Sequence, residues 1–400
     1  MLDAYLYNGL RTPFGRNAGA LATVRPDDML GGVIRAAIDA SSFSESAIDD
    51  VIIGCGNQAG EDSRCVARHA LLRAGLPIET PGTVLQRNCG SGLGAIISAA
   101  HAITCGEGDV IIAGGVESMT RAPFVVGKSE QAFGKQFVSF DSALGARFPN
   151  PAIEKEFGSD NMPQTADNLA EKYQLSRLEC DTFAYRSQSK YAAAKADSFF
   201  DGEITAVTIP GKRKKPDTIF DQDEFPRPGT ELEKLATMRA LNQGGVTTAA
   251  NASGINDGAV AMMVASRAAG DAAGAKPMAR ILSSGVAGVE PRIMGYGPVP
   301  AAEIALKRAG LTLADMDVIE INEAFSAQVL ACVKGMELSF DDSRINPNGG
   351  AITVGHPLGA SGPRIALTAA RQLERQGGRY ALVSMCIGLG QGIAMVIERV

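Results

Sequence analysis

Two distant segments of the chain repeat the same order of strand, loop, helix and strand. In the first segment Cys89 lies 38 positions after Val51, and in the second His356 lies 38 positions after Val318. A fixed offset across these elements indicates two copies of one βα unit, although two unrelated α/β segments can also match by chance. Halves related by a pseudo-twofold axis bring corresponding loops together, so we expect Cys89 and His356 to meet at one site.

Apolar runs that alternate with helical patterns predict an α/β fold. The predicted strands include 5–10, 51–55 and 109–115, and the predicted helices include 27–38 and 93–103. This alternation implies a parallel or mixed sheet that helices cover on both faces. From about residue 120 to 249 the alternation is lost, although Ser176 and Glu179 form a capping box that begins one clear helix. We interpret this region as an insertion or lid.

Bulk properties exclude several classes of protein. The net charge of -6 argues against a general nucleic-acid binder, which needs a basic surface to neutralise phosphates. No apolar run reaches the roughly 20 residues of a membrane helix, and the first residues lack the pattern of a secretory signal. We therefore expect a cytoplasmic protein. The seven cysteines form no C-x-x-C pair and the three histidines are scattered, so we expect neither a disulfide scaffold nor a metal site.

Cys89 is the strongest candidate for a reactive residue. It lies between a predicted strand and a predicted helix, within the glycine-rich segment 88–92. A helix N-terminus stabilises a thiolate through its free N–H groups and its dipole, so we expect the thiol pKa to fall below about 8.5. The alternative is a buried structural cysteine, but the flanking glycines allow a substrate to approach closely and favour the reactive role.

Two other glycine-rich segments carry candidates for acid–base chemistry. His356 lies in a Gly/Pro loop before a helix, and a neighbouring histidine activates a cysteine nucleophile. Cys386 follows a predicted strand and opens a glycine-rich turn, where a second thiol can relay a proton and free N–H groups can bind an oxyanion. The alternatives are a histidine satisfied in the surface or core, and a cysteine that is simply small enough for a tight hairpin.

Asn322 follows the predicted strand 318–321, and strand ends carry sites in α/β sheets. It can orient a water or a carbonyl group, or it can cap a helix. The basic run 212–215 can meet a phosphate, but a short charge run is more often a solvated loop. The sequence has no metal constellation, Ser-His-Asp motif or phosphate-binding P-loop.

Together these segments resemble the thiolase family, and the resemblance covers essentially the whole chain. Five segments stand in the family's order and spacing, namely Asn88-Cys89-Gly90-Ser91-Gly92, residues 251–258, Asn322-Glu323-Ala324-Phe325, residues 355–362 and Cys386-Ile387-Gly388-Leu389-Gly390. Segments 60–64, 161–168 and 385–395 are most similar to bacterial 3-oxoadipyl-CoA members of the family. Acetoacetyl-CoA members usually have His-Met-Gly where this chain has Asn161-Met162-Pro163.

The resemblance implies a thiolase fold, with two duplicated βαβαβαββ halves that form a layered α-β-α-β-α core and an inserted loop domain. We place the N-terminal half at 1–120 plus 250–275, the loop domain at 121–249 and the C-terminal half at 276–400. The resemblance also implies a homodimer or a homotetramer, with the tetramer as a dimer of dimers. Coenzyme A is then a co-substrate, and no cofactor is permanently bound.

The resemblance further implies an acyltransferase that cleaves 3-oxoadipyl-CoA with coenzyme A to succinyl-CoA and acetyl-CoA. In such an enzyme Cys89, activated by His356, attacks the 3-keto carbon and keeps the acyl group as a thioester. Cys386 protonates the leaving enolate and later deprotonates coenzyme A. His356 and a water on Asn322 hold the enolate oxygen, while the acyl oxygen faces the N–H groups of Cys89 and Gly388.

The match between this sequence and the family's motifs also implies which residues contact coenzyme A. Ser253 is placed against the pantetheine and Arg227 near the nucleotide, while Met162 and Phe325 are placed along the pocket. The distal carboxylate of a six-carbon diacid needs a cation or several donors. The candidates by residue type are Arg64, Arg68 and Arg147.

Three other functions compete with this hypothesis. One is a broad 3-ketoacyl-CoA or acetoacetyl-CoA thiolase, which needs the same catalytic residues. A second is a carrier-protein-dependent ketoacyl synthase, whose site has no second cysteine, so Cys386 argues against it. The third is a non-catalytic thiolase-like lipid-binding protein, which is expected to have lost Cys89, His356 or Cys386, yet all three are present.

Overall fold

The computed structural model describes residues 2–58, 60–62, 64–211 and 215–400. Ser63 and most of the basic run, residues 212–214, lie outside the described residues. Strands alternate with helices in the first part of the chain, as the apolar pattern predicts. The elements there are β1 (Ala4–Arg11), β2 (Gly15–Arg16), α1 (Pro26–Asp39), β3 (Asp50–Gly54), α2 (Val66–Arg73), β4 (Gly82–Leu85), α3 (Ser91–Cys105) and β5 (Val110–Ser118).

The middle of the chain forms small hairpins and helices of its own. They are β6 (Phe124–Val126), β7 (Ser139–Asp141), α4 (Pro151–Phe157), α5 (Met162–Tyr173), α6 (Arg177–Ala196), β8 (Val207–Ile209), β9 (Thr218–Phe220) and α7 (Leu232–Ala236). The predicted capping box begins α6, where the Ser176 side chain accepts the Glu179 N–H and the Glu179 side chain accepts the Ser176 N–H. The boundaries 120/121, 249/250 and 275/276 stay a prediction.

The last part of the chain returns to regular alternation. Its elements are β10 (Asn256–Ala265), α8 (Arg267–Ala272), β11 (Ala279–Gly288), α9 (Pro298–Ala309), β12 (Val318–Ile321), α10 (Ser326–Gly335), α11 (Ala351–Val354), α12 (Leu358–Gln376), β13 (Tyr380–Ile387) and β14 (Gln391–Arg399). Short 3-10 helices cover Ala20–Thr23, Glu45–Ala47, Pro291–Tyr296 and Leu313–Asp315. Within the described residues, no helix has both the length and the apolarity needed to cross a bilayer.

One large mixed sheet joins the two ends of the chain. Its strand order is β12-β13-β14-β11-β1-β10-β5-β3-β4, and β1 pairs antiparallel with β11 near its centre. Outward from β1 the order is β10, β5, β3 and β4, and outward from β11 it is β14, β13 and β12. In the second half a single parallel bridge between Ile319 and Ile345 takes the place of β4. This repeated order is that of two copies of one unit, as the fixed offset predicts.

Helices cover the sheet in layers. Helices α3 and α12 pack between the two halves of the sheet, in an apolar core that draws side chains from both. Helices α1 and α2 cover the outer face of the first half, while α9 and α10 cover the outer face of the second. Every residue of β10 is buried because the strand is covered on both faces. The predicted α-β-α-β-α core is therefore confirmed.

The first turns of α3 and α12 approach each other closely. A Cβ placed on Gly92, in the first turn of α3, would lie 2.0 Å from the carbonyl oxygen of Gly359 at the start of α12. Only a residue without a side chain fits such an approach. Cys89 and His356 come just before these two turns, so the packing of the helices brings both residues to one place.

Candidate active site

Cys89 lies in the turn between β4 and α3, directly before Gly90, which caps the helix. Asn88 has a left-handed backbone with φ 45°, and its side chain donates to the Gly388 carbonyl oxygen at 3.4 Å. The Gly388 N–H lies near enough to the Cys89 thiol to lower its pKa. The β13–β14 hairpin therefore contacts the Cys89 turn and places the Gly388 N–H group near the thiol.

Burial raises the pKa of the Cys89 thiol to about 11 and outweighs the N–H groups of Gly388 and Cys89 itself, which lower it. The expectation that the helix N-terminus brings this pKa below about 8.5 is therefore wrong for the free protein. The physical reason is that Cys89 precedes the cap of α3 and packs against the apolar core between α3 and α12, which desolvates the sulfur. The Cys89 thiol is therefore neutral in the free protein at neutral pH.

We expect the alkylation of Cys89 by iodoacetamide in the free protein to accelerate with pH toward a pKa of about 11, because the thiolate is the reactive form and burial opposes it. Peptide mapping by mass spectrometry separates Cys89 from the exposed Cys105, which serves as an internal control. A Cys89 rate that levels off below the ordinary thiol pKa of about 8.5 would contradict this expectation.

His356 is a buried, neutral histidine whose backbone and ring are both held by hydrogen bonds. Its backbone N–H donates to Asn256 Oδ1 at 3.0 Å, and its ring Nδ1 lies 2.6 Å from Ser361 Oγ. Burial lowers the pKa of His356 to about 4, and the nearby charge of Arg364 adds to this effect. The ring is therefore uncharged at neutral pH and has one basic nitrogen, as a general base requires.

Asn322 stands next to His356, where its Nδ2 lies 3.4 Å from the ring Nε2. It is fully buried, and its backbone N–H donates to the Ser384 carbonyl oxygen on β13. The helix-cap alternative for Asn322 is wrong because α10 begins later, with Phe325 in the cap position. Asn322 Oδ1 has no hydrogen-bond partner among the described residues, so it remains an acceptor for a bound molecule.

Cys386 lies inside β13, opposite Gly392 of β14, and not at the start of the turn as the sequence suggested. The strand pairing continues through Ile387, so the left-handed residues that close the hairpin are Leu389 and Gly390. Cys386 is buried among Ala324, Phe325 and other apolar side chains. Burial raises the pKa of the Cys386 thiol, and the charge of the neighbouring Cys89 raises it further. Because Asn88 bonds to Gly388, two residues after Cys386, the hairpin brings the two thiols to the same turn.

Three of the residues assigned to coenzyme A contact elements that also carry the candidate reactive residues. A Cβ placed on Gly388 would lie 3.9 Å from Met162 Sδ. The Ser253 N–H donates to the carbonyl oxygen of Ala324 at 2.9 Å, next to buried Phe325. Met162 therefore lies near the β13–β14 turn, and Ser253 and Phe325 lie near the apolar cluster that contains Cys386.

Arg227, the fourth of these residues, is exposed to solvent. Its guanidinium stands 5.5 Å from the ring centroid of Phe225. That ring in turn lies against Gly254, because a Cβ placed there would be 2.6 Å from Phe225 Cε2. The Phe225 ring therefore lies between Arg227 and the segment that contains Ser253. The charge of Arg227 faces solvent, where a phosphate can approach it.

Glu117 is a buried carboxyl group that the sequence analysis missed. It is 2% exposed, and it accepts backbone N–H groups from Gly56 at 2.8 Å, Asn57 at 3.1 Å and Gly359 at 3.0 Å. Burial raises its pKa to about 7. Because Gly359 lies in the first turn of α12, Glu117 fastens the first half of the protein to the helix that follows His356. The one sign of Glu117 in the sequence is that it is an acidic residue within an otherwise apolar predicted strand.

Glu323 has a similar role on the other side of Asn322. Its side chain accepts hydrogen bonds from Ser187 Oγ at 2.7 Å, Asn346 Nδ2 at 2.9 Å and the Ile352 N–H at 3.2 Å. These bonds fix the loop that leads into His356 against α6. Within the described residues, no group of three or more His, Cys, Asp or Glu side chains is arranged to hold a metal ion.

Comparison with known proteins places this fold and site in one family. The thiolase N-terminal domain model matches residues 5–268, and the thiolase C-terminal domain model matches residues 275–399. The chain belongs to the thiolase family, whose members are acyltransferases.

Individual relatives match over the whole chain. A beta-ketoadipyl-CoA thiolase from Acinetobacter baylyi is 54% identical over 402 residues, covering 100% of both chains. A 3-oxoadipyl-CoA/3-oxo-5,6-dehydrosuberyl-CoA thiolase from Escherichia coli K12 is 52% identical over 402 residues, again with 100% of both chains covered. The crystal structure of human mitochondrial 3-ketoacyl-CoA thiolase in complex with CoA superposes with a TM-score of 0.90 and 39% identity, covering 100% of this chain and 98% of that one.

Proposed function

We propose that this protein is a thiolase that cleaves 3-oxoadipyl-CoA with coenzyme A to succinyl-CoA and acetyl-CoA. The observation that carries the proposal is the close approach of α3 and α12, whose first turns follow Cys89 and His356. The β13–β14 hairpin, which contains Cys386, contacts the same Cys89 turn through Asn88. The substrate is proposed because the full-length bacterial relatives carry this activity in their names.

The first half-reaction transfers the succinyl group to the enzyme. His356 Nε2 takes the proton of the Cys89 thiol while the sulfur attacks the C3 carbonyl carbon. The tetrahedral intermediate collapses, the C2–C3 bond breaks and its electron pair becomes the enolate of acetyl-CoA. The Cys386 thiol protonates C2, which releases acetyl-CoA and leaves Cys386 as a thiolate. The succinyl group remains on Cys89.

The second half-reaction returns both sulfurs to their resting state. The Cys386 thiolate takes the proton of the coenzyme A thiol, and the coenzyme A sulfur attacks the acyl carbon on Cys89. The N–H group of Gly388, which already faces the Cys89 sulfur, stabilises the oxyanion. Succinyl-CoA leaves, and Cys89 recovers its proton from His356. Neither thiol needs a lowered pKa at rest, because each gains or loses its proton within the cycle.

The distal carboxylate of the substrate needs a cation, and the three candidates differ in the hydrogen bonds that they make. Arg68 donates through both terminal nitrogens, to the carbonyl oxygens of Thr80 and Ile78, whereas Arg147 uses only one of its two among the described residues. Arg147 donates to the Ser142 carbonyl oxygen, which also accepts Asn57 Nδ2 at 3.2 Å. Because the Asn57 N–H bonds Glu117, Arg147 lies on the loop that borders the catalytic turns. We therefore assign the carboxylate to Arg147 and leave exposed Arg64 as the comparison.

We expect the wild-type protein to cleave 3-oxoadipyl-CoA with a higher kcat/KM than acetoacetyl-CoA, and Arg147→Gln to remove that preference. A charge-assisted hydrogen bond is worth about 1.5–3 kcal/mol, so kcat/KM for 3-oxoadipyl-CoA should fall by about 10- to 100-fold. The rate with acetoacetyl-CoA, which has no distal carboxylate, should stay within about threefold of wild type.

Arg64→Gln is the matched control and should leave the ratio of the two substrates unchanged. If Arg64→Gln lowers the ratio and Arg147→Gln does not, Arg147 is not the carboxylate ligand. If the wild-type protein prefers acetoacetyl-CoA, the proposed substrate is wrong and the enzyme is a broad or acetoacetyl-CoA thiolase.

We also infer that the protein acts in the cytoplasm as a homotetramer, arranged as a dimer of dimers. Support comes from the β6–β7 region, where large apolar side chains are mostly exposed in the single chain. They include Phe124, Val126, Phe137 and Val138. Exposed apolar clusters of this kind suit an interface between copies.

A further inference from the structure

The second nitrogen of the His356 ring has a buried partner on α12. Ser361 Oγ lies 2.6 Å from Nδ1, and the same hydroxyl donates to the carbonyl oxygen of Pro357 at 2.9 Å. Ser361 is fully buried, one turn into the helix that follows His356. The three groups form a short chain of hydrogen bonds that water does not reach.

The direction of each bond in this chain follows from counting protons. The Ser361 hydroxyl has a single proton, and its geometry directs that proton to the Pro357 carbonyl oxygen. The Ser361 oxygen must then accept, and the proton between it and His356 belongs to Nδ1. A neutral imidazole carries one N–H, so Nε2 keeps its lone pair, and the Asn322 amide at 3.4 Å is placed to donate toward it.

We propose that Ser361 is a positioning residue for His356, which holds the ring in its Nδ1–H form and so makes Nε2 the nitrogen that takes the Cys89 proton. The bond keeps its direction through the cycle: once Nε2 has taken that proton, Nδ1–H still donates to Ser361. Its kinetic consequence rests on the proposed thiolase function, whereas its effect on the ring does not.

The same helix offers a matched control. Thr368 is another buried hydroxyl on α12, 1% exposed, and its Oγ1 has no hydrogen-bond partner among the described residues. Removing a hydroxyl from either position disturbs the packing of α12, but only Ser361→Ala removes a bond to His356. Thr368→Val therefore reports what a purely structural change does.

The tautomer can be observed directly because the chain has only three histidines. The protein labelled with nitrogen-15 in histidine is measured by NMR at neutral pH, and His69→Gln and His101→Gln assign the remaining ring. We expect wild type and Thr368→Val to show the Nδ1–H form of His356. Ser361→Ala should show a mixture of both forms, and Ser361→Thr, which keeps the hydroxyl, should restore the single form.

Kinetics of the acylation step complete the test. Ser361→Ala should slow succinyl transfer from succinyl-CoA to Cys89 by about 10- to 100-fold, whereas Thr368→Val should stay within about twofold. The loss is smaller than the roughly 10²- to 10⁴-fold contribution of a general base because the imidazole itself remains. An Nε2–H ring in the wild type, or equal behaviour of Ser361→Ala and Thr368→Val, would overturn the proposal. If wild type shows the Nδ1–H ring but never acylates Cys89, the thiolase function fails and the role of Ser361 stands.

Discussion

Cys89→Ala is expected to abolish thiolysis of 3-oxoadipyl-CoA, with a loss on the order of 10⁴-fold or more in kcat. The acyl group is held by a bond to this sulfur. His356 and Cys386 only transfer protons, so without Cys89 no acyl intermediate can form. The rate of succinyl-CoA formation from purified protein measures the effect. Binding of the substrate should persist, because the residues assigned to coenzyme A are untouched.

Cys105→Ala is the matched control for this experiment. Cys105 is the last residue of α3, exposed to solvent at the opposite end of the helix that begins after Cys89. Its replacement should leave kcat unchanged and shows that loss of a thiol from α3 does not by itself impair the fold. If Cys89→Ala kept a tenth of the wild-type rate, another residue would be the nucleophile.

Cys386→Ala should separate the two chemical tasks of the site. Succinyl transfer from succinyl-CoA to Cys89 should remain measurable, because that step uses Cys89 and His356. Breaking and forming the carbon–carbon bond should fall by about 10²- to 10⁴-fold, the contribution of a positioned acid or base. The direct measurement is exchange of the acetyl hydrogens of acetyl-CoA with deuterated water, since Cys386 is the group proposed to move that proton.

Cys332→Ala provides the comparison for Cys386. Cys332, on α10, is also a fully buried thiol, and it donates to the Gly295 carbonyl oxygen at 3.1 Å. Its loss should lower stability and leave hydrogen exchange at the wild-type rate per folded molecule. Exchange that continues at the wild-type rate in Cys386→Ala would show that another group acts as the base.

Local pattern and the repeated offset were enough to predict much of the fold. Helix α1 follows from its apolar spacing, α6 begins at its capping box, and the equal distances to Cys89 and His356 mark two copies of one unit. These features depend on neighbours a few residues away or on the order of elements, both of which are visible in a single sequence.

Features that depend on distant partners were not predictable in this way. The pKa of Cys89 is set by burial against the core between α3 and α12, to which distant parts of the chain contribute, so the local helix N-terminus gave the wrong direction. Glu117 accepts three backbone N–H groups, which carry no residue-specific signal in the sequence. Glu323 accepts from Ser187 and Asn346, which lie far from it along the chain or in another loop. The place of Cys386 within β13 depends on pairing with β14, which only the folded hairpin defines.

The most direct test is to mix the wild-type protein with 3-oxoadipyl-CoA without free coenzyme A, quench the mixture in acid and map the peptides by mass spectrometry. The proposed chemistry predicts one succinyl group on the peptide that contains Cys89, formed together with an equal amount of acetyl-CoA. A succinyl group on any other residue, or release of acetyl-CoA with no acylated peptide, would contradict it.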